Sequence, residues 1–238
     1  MKLLVLGRGK TGALVAEVAK DRGHEVRSLA SQDNQDGRGL TPELLRQIDV
    51  AIDFTTPHAV IANIIRCAEG GVPIVVGTTG WYQHLDKVRE LITERKSACL
   101  YGSNFSVGVN LFFKAIRAIS PAMTKGYRAN IVEKHHAQKK DKPSGTAATI
   151  KKILESAGQN HDQKDAQKNV QQNIEIASLR EGDTVGMHLV VLDSPNDTIL
   201  LTHDAKSRLG FAEGAVRAAE WLHGKSGFYE FPDVIDQI

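Results

Sequence analysis

Over roughly its first hundred residues the chain alternates short, uniformly apolar runs with longer amphipathic stretches. Residues 2–6 read as a buried strand, 12–22 as a helix stopped by Gly23, and 24–29 as a second strand. Thr41-Pro42-Glu43 marks another helix start, with Thr as the cap and Pro at the first helical position. Residues 50–54, 73–76 and 98–101 read as further strands, with helical periodicity at 59–68 and 85–95 between them. A strand buried on both faces loses the apolar–polar alternation, so continuous runs separated by helices predict a parallel sheet covered on both sides. The expected plan is a doubly wound α/β domain.

After residue 104 the rhythm changes. Residues 107–119 read as a helix ended by Pro121, 130–133 as a strand and 146–154 as a helix. Val185, Met187, Leu189 and Val191 recur at period two and share one face, and residues 198–202 follow the turn residues Ser194-Pro195-Asn196. This predicts a hairpin with one solvated face. Residues 158–172, rich in Gln, Asn, Asp and Lys, are the expected mobile loop, and a last helix at 212–223 precedes a short tail.

Composition adds limits. With 238 residues, 41% of them hydrophobic and 24% charged, the chain carries enough apolar material for one large domain or two modest ones. Thirty Lys and Arg against 28 Asp and Glu leave a formal charge of +2, which argues against nucleic acid or an anionic membrane as partner. Cys67 and Cys99 form no CxxC pair and read as buried thiols of a reducing compartment. The first apolar run is too short for a secretory leader, and no run approaches the roughly 20 apolar residues of a membrane span. A cytoplasmic protein is expected.

Gly7-Arg8-Gly9-Lys10-Thr11-Gly12 follows a predicted strand and opens a helix. In that context the first glycine permits a tight turn, the second lets the backbone approach a pyrophosphate, and the third lets helix and strand pack closely. The helix start then offers free amides to phosphate. Asp33, slightly past the end of the second strand, is the candidate for the ribose hydroxyls, while Arg8 and Lys10 stand where a 2′-phosphate would be met. The choice between NADPH and NADH stays open. Two loops after later strands, Gly77-Thr78-Thr79-Gly80 and Gly102-Ser103-Asn104-Phe105, lie on the edge where open α/β sheets bind ligands and are further cofactor candidates.

The densest chemistry lies in Glu133-Lys134-His135-His136-Ala137-Gln138-Lys139-Lys140-Asp141-Lys142-Pro143-Ser144-Gly145-Thr146. Four lysines face one Glu and one Asp between 133 and 142, a local surplus equal to that of the whole chain. The two histidines titrate near neutrality, and an imidazolium donates a proton to a developing anion. Pro143-Ser144-Gly145-Thr146 opens a helix whose first amides suit a carboxylate. Together these features point to a small acidic substrate. Adjacent histidines diverge in direction and no Cys or HxxxH partner is present, so no metal is assigned.

This stretch closely resembles the signature of the 4-hydroxy-tetrahydrodipicolinate (dihydrodipicolinate) reductases of the diaminopimelate route to lysine. So do Asp53-Phe54-Thr55, Asn104-Phe105-Ser106-Val107-Gly108, Ser178-Leu179-Arg180 with Gly182 and Gly186, and His203-Asp204-Ala205. The resemblance implies His135 as proton donor, His136 as a substrate contact, and Lys139 as a residue for both binding and catalysis. Gly145 and Thr146 would hold a substrate carboxylate through their amides, and 77–79 with 102–105 would meet the nicotinamide half of the cofactor. It further implies a Rossmann-like domain of residues 1–105 plus 209–238, with 106–208 inserted as an α+β substrate and oligomerisation domain. Hinges would fall near Phe105 and Arg208, and a homotetramer would be joined through the sheets of the inserted domains. Many family members carry a glycine loop one residue longer and an acidic residue ending the second strand, so cofactor preference does not carry over.

Two other readings compete. A semialdehyde or sugar dehydrogenase would need a nucleophilic cysteine or a different Lys–His order, and a non-catalytic dinucleotide sensor would have no use for the whole His135–Thr146 constellation.

Overall fold

The computed structural model describes residues 1–159 and 173–238, which divide into two compact units, 1–107 with 209–238, and 108–208. Most of the expected mobile loop at 158–172 lies outside the described residues.

The first unit begins with β1 (Lys2–Leu6), α1 (Lys10–Asp21), β2 (Glu25–Leu29) and the short α2 (Pro42–Leu45), capped by the Thr41 hydroxyl. It continues through β3 (Val50–Asp53), α3 (Val60–Glu69), β4 (Ile74–Val76), α4 (Leu85–Glu94) and β5 (Ala98–Tyr101). The second unit takes most of α5 (Val107–Ile119), then β6 (Arg128–His135), α6 (Gly145–Gln159), β7 (Glu175–Arg180), β8 (Gly186–Asp193) and β9 (Thr198–Ala205). The chain then returns to the first unit as α7 (Leu209–Leu222), β10 (Gly227–Glu230) and α8 (Phe231–Val234).

The first sheet is parallel throughout, in the order β10-β5-β4-β3-β1-β2. Alternation along its strands feeds two cores. Leu3, Val5, Val50, Ile52 and Leu100 pack toward α1 and α7, while Leu4, Leu6, Ala51, Ile74 and Val76 pack toward α3 and α4. Helix α7 fits because Gly214 has no Cβ: one placed there would overlap the main-chain carbonyl of Phe105. The tail expected after the last helix instead holds β10, which pairs with β5 along the sheet edge.

The second sheet runs β7-β6-β8-β9, with β6 and β7 parallel and the other pairs antiparallel. Helices α5 and α6 cover one face, over Ala129, Ile131, Val190 and Leu192. The face expected from Met187, Leu189 and Val191 is the uncovered one; Gly186, His188, Val190 and Leu192 turn inward on β8. Apolar residues occupy both phases of this strand, so alternation alone does not choose between them. Leu179 and Leu200, at 50% and 63% exposure, lie on the uncovered face.

Candidate active site

The glycine loop is built as its spacing predicts. Gly7 has φ of +95°, its N–H donates to Leu29 O at 2.9 Å, and a Cβ there would overlap the carbonyl of Phe54. A Cβ on Gly12 would overlap the carbonyl of Gly7, while one on Gly9 would meet nothing. The first and third glycines are thus filled by protein and the second leaves an open cradle before α1, whose start has no side-chain cap. That cradle fits a pyrophosphate lying on the free amides of Lys10, Thr11 and Gly12.

A cleft of about 300 Å³ continues from it, lined by Gly7, Ala30, Ser31, Asn34, Asp36 and Thr55 among others. Arg8 is exposed, and its Nη2 donates to Ser28 O at 2.9 Å, which sets the guanidinium at the end of β2. Asp33 is exposed in the turn after β2 and does not line the cleft. The acidic side chain that lines it is Asp36.

Under these loops sits a buried polar network that sequence reasoning left without a role. Asp53, at the end of β3 and fully buried, accepts from Thr78 Oγ1 at 2.6 Å, Thr55 Oγ1 at 2.8 Å, Thr55 N at 3.0 Å and Asn63 Nδ2 at 2.7 Å. Asn63 Oδ1 in turn accepts from Asn34 Nδ2 at 2.8 Å. Burial pushes the Asp53 carboxyl above its ordinary range despite these donors. Through Asp53 the cleft wall at Asn34 is tied to the loop after β4. Thr78 therefore has its hydroxyl committed inward, and Thr79 next to it is exposed.

A Cβ on Gly77 would overlap the Phe54 ring. Gly102 N donates to Val76 O at 3.1 Å, Ser103 is exposed, and Asn104 Oδ1 accepts from Ser106 N at 2.8 Å. Phe105 is 2% exposed, its ring packed against Phe54 and Phe231, which leaves only its main chain for a ligand.

In the second unit, His135 ends β6 and is 6% exposed. Residues two apart share a strand face, so Glu133 lies on the same side, and the register sets His188 opposite Glu133 and Arg180 opposite His135. Glu133 is fully buried; Oε1 accepts from Arg180 Nη2 at 2.8 Å, and both oxygens accept from Ser144 N, at 3.1 and 3.2 Å. Its Oε2 stands 3.5 Å from His135 Nδ1 and 3.7 Å from His188 Nε2. Burial opposes the charge on Glu133, but hydrogen bonds from Ser144, Arg180 and Ser178 outweigh it and hold the carboxyl at about 2. Burial also lowers His135, with Glu133 pulling it back up, and lowers His188 to about 4.

Ser144 caps α6: its Oγ accepts from Ala147 N at 3.2 Å and lies 3.2 Å from His188 Nε2. The amides of Gly145 and Thr146 occupy the first turn, where no intrahelical acceptor exists, and a Cβ on Gly145 would meet nothing. Lys139 pairs with Asp141 at 2.8 Å, and His136 Nε2 lies 3.4 Å from Arg208 Nη2. The lysine run splits: Lys134 alternates onto the uncovered sheet face and pairs with Glu181 at 2.7 Å, away from His135.

Glu133, His135 and His188 bring three ligand-type atoms within 4.8 Å, a grouping invisible when only the adjacent His135–His136 pair is weighed. The carboxylate already serves Arg180 and Ser144, so the donor set suits a proton better than a cation. Cys67 and Cys99 are fully buried with thiol pKa values pushed up by burial, which leaves neither as a nucleophile. A wider groove of about 730 Å³, lined by Arg117, Thr149 and Lys152 among others, holds none of these groups.

Family models for dihydrodipicolinate reductase match both halves of the chain, the N-terminal model over residues 1–105 and the C-terminal model over 108–235. The chain belongs to the dihydrodipicolinate reductase family.

It is 40% identical to the 4-hydroxy-tetrahydrodipicolinate reductase of Christiangramia forsetii, over 100% of this chain and 99% of that protein. The enzyme of the same name from Neisseria meningitidis serogroup A is 36% identical, over 81% of this chain and 74% of the relative. Among solved structures, the dipicolinate-bound dihydrodipicolinate reductase from Paenisporosarcina sp. TG-14 superimposes with a TM-score of 0.79 at 22% identity, over 98% and 99% of the two chains. Membership in this reductase family makes the protein an NAD(P)H-dependent oxidoreductase. It also agrees with the glycine cradle of the first unit. No helix among the described residues is long and apolar enough to cross a membrane.

Proposed function

We propose that the protein reduces 4-hydroxy-tetrahydrodipicolinate (dihydrodipicolinate) to tetrahydrodipicolinate in the diaminopimelate route to lysine. The observation that carries the reading is His135, a buried imidazole whose Nδ1 stands 3.5 Å from Glu133, the carboxylate that accepts from the Ser144 amide at the start of α6. One proton donor and one anion-binding helix start are thereby held together, as a small dicarboxylate requires. Bound at the glycine cradle and the loops at 77–79 and 102–105, NADPH or NADH supplies the hydride. The α6 amides of Gly145 and Thr146 hold a substrate carboxylate, Lys139 and His136 add cationic and hydrogen-bonding contacts, and His135 delivers the proton that completes the reduction.

Freshly generated substrate and either cofactor should give loss of absorbance at 340 nm; tight cofactor binding without turnover would leave only a dinucleotide-binding role. Arg8, at the end of β2, is proposed to read the 2′-phosphate. Arg8→Ala should then raise KM for NADPH by about tenfold, the scale of a lost charged hydrogen bond, and spare NADH. Equal losses with both cofactors would reject that role.

The uncovered face of the β7-β6-β8-β9 sheet supports assembly of copies of this chain into a homotetramer. Val132 and Leu189 sit directly opposite each other there, beside the exposed Leu179 and Leu200. Sedimentation should show a tetramer in the wild type and smaller species for Leu200→Lys; an unchanged mass would remove this face from the interface. Two unpaired, buried cysteines are in keeping with a cytoplasmic location.

A further inference from the structure

A buried carboxylate is costly unless its partners compensate, and an apolar residue would fill the same space without that cost. Glu133 is therefore unusual at a fully buried position of β6. Its partners come from three directions. Ser144 N is the amide just before α6, Arg180 lies on β7, and Oε2 faces the rings of His135 and His188. The Arg180 Nη2 also donates to Asp141 O at 2.6 Å, so the same pair pins the 136–144 loop that carries Lys139.

We propose that Glu133 is the positioning residue of the reduction, fixing the start of α6 and the His135 ring in one arrangement; this rests on the reading of His135 as proton donor. The charged and titratable groups facing His135 are Glu133 on its own strand, Lys139 and Asp141 from the following loop, Arg180 on β7 and His188 on β8. Burial, Lys139 and Arg180 oppose the imidazolium, while Glu133 and Asp141 favour it. Glu133 is the stronger of the two favourable influences, so it keeps the donor protonated to higher pH. It also keeps the Ser144 amide from drifting, and with it the first turn of α6 that follows.

The test compares Glu133→Gln and Glu133→Asp with His135→Gln. Three readouts are taken: the pH profile of kcat, the His135 imidazole titration by NMR, and the affinity for dipicolinate as a dicarboxylate probe. In Glu133→Gln the falling alkaline limb of kcat and the His135 titration should both move acid by about one pH unit, the scale of losing an opposite charge within a few ångströms. Dipicolinate binding should weaken several-fold, because glutamine keeps only one uncharged acceptor where Ser144 N now meets two carboxylate oxygens.

Lost turnover in His135→Gln combined with an unmoved limb in folded Glu133→Gln would overturn the positioning role alone. Retained turnover in His135→Gln would remove the donor and the positioning role together. If Glu133→Gln does not fold, Glu133→Asp decides. Its retracted carboxylate should keep part of the limb but weaken dipicolinate several-fold, and wild-type values for both would overturn the proposal.

Discussion

His135→Gln is expected to lower kcat by about 10²- to 10⁴-fold, the usual worth of a general acid, while NAD(P)H binding stays near the wild-type value. The separation follows from where the groups sit. His135 ends β6 in the second unit, whereas the glycine cradle and the cleft beside it are built wholly from residues of the first. Glutamine keeps a polar group of similar reach beside Glu133 but has no proton to give near neutral pH, so the fold should survive while the donor is lost. A Cβ on Gly186 would come within 3.0 Å of His135 Nε2, which shows how closely the ring is seated and why a bulkier replacement would confuse the reading. Steady-state kinetics paired with equilibrium titration of cofactor fluorescence settles the matter. Turnover within a few-fold of wild type would exclude His135 as donor, and a parallel loss of cofactor affinity would mean that the substitution acts through the fold.

Acid is the second large effect. Burial and neighbouring charges lower His188 from an ordinary 6.5 to about 4, and donors lower Glu133 from 4.5 to about 2. A group whose folded value is depressed contributes stability that is fully present above its unfolded value and lost as pH falls through its folded one. His188 therefore withdraws stability between about pH 6.5 and 4, and Glu133 between about 4.5 and 2. Each step is worth at most about 3 kcal/mol, and less in sum because a protonated His188 gains attraction from Glu133. Melting temperature should thus fall in two overlapping stages on acidification. His188→Gln should flatten the upper stage, although it starts from a lower value for having disturbed the Ser144 contact. Identical melting losses in variant and wild type between pH 7 and 5 would show that His188 is not the group responsible.

Much of the fold was legible because β1, β3, β4 and β5 are buried on both faces and carry unbroken apolar runs. Two of the edge strands, β10 and β7, were not. β10 is four residues, Gly227-Phe228-Tyr229-Glu230, recognisable only through its pairing with β5, and β7 alternates exposed and half-buried positions after a polar stretch. The glycine loop was legible because its spacing follows a strand and opens a helix; Gly7 and Gly12 each have a steric reason within the protein, while Gly9 leaves open space. The cluster around His135 was half visible: His135, Lys139 and Ser144 lie in one stretch, but Arg180 and His188 join it only through strand register. His188 was further hidden by the apolar residues in the other phase of β8, which drew attention to the wrong face. The i, i+2 spacing of Glu133 and His135 was the signal available, since it puts a carboxylate and an imidazole on one side of a strand.

The late return of the chain also bears on how the protein is made. β5 is complete at Tyr101, yet its partner on that edge, β10, begins only at Gly227. During synthesis the first unit therefore carries an unpaired, wholly apolar strand edge until residues 227–230 have been made. Such an edge invites pairing with other nascent chains. Residues 227–230 thus close a sheet begun at residue 2, and their arrival covers the edge of β5.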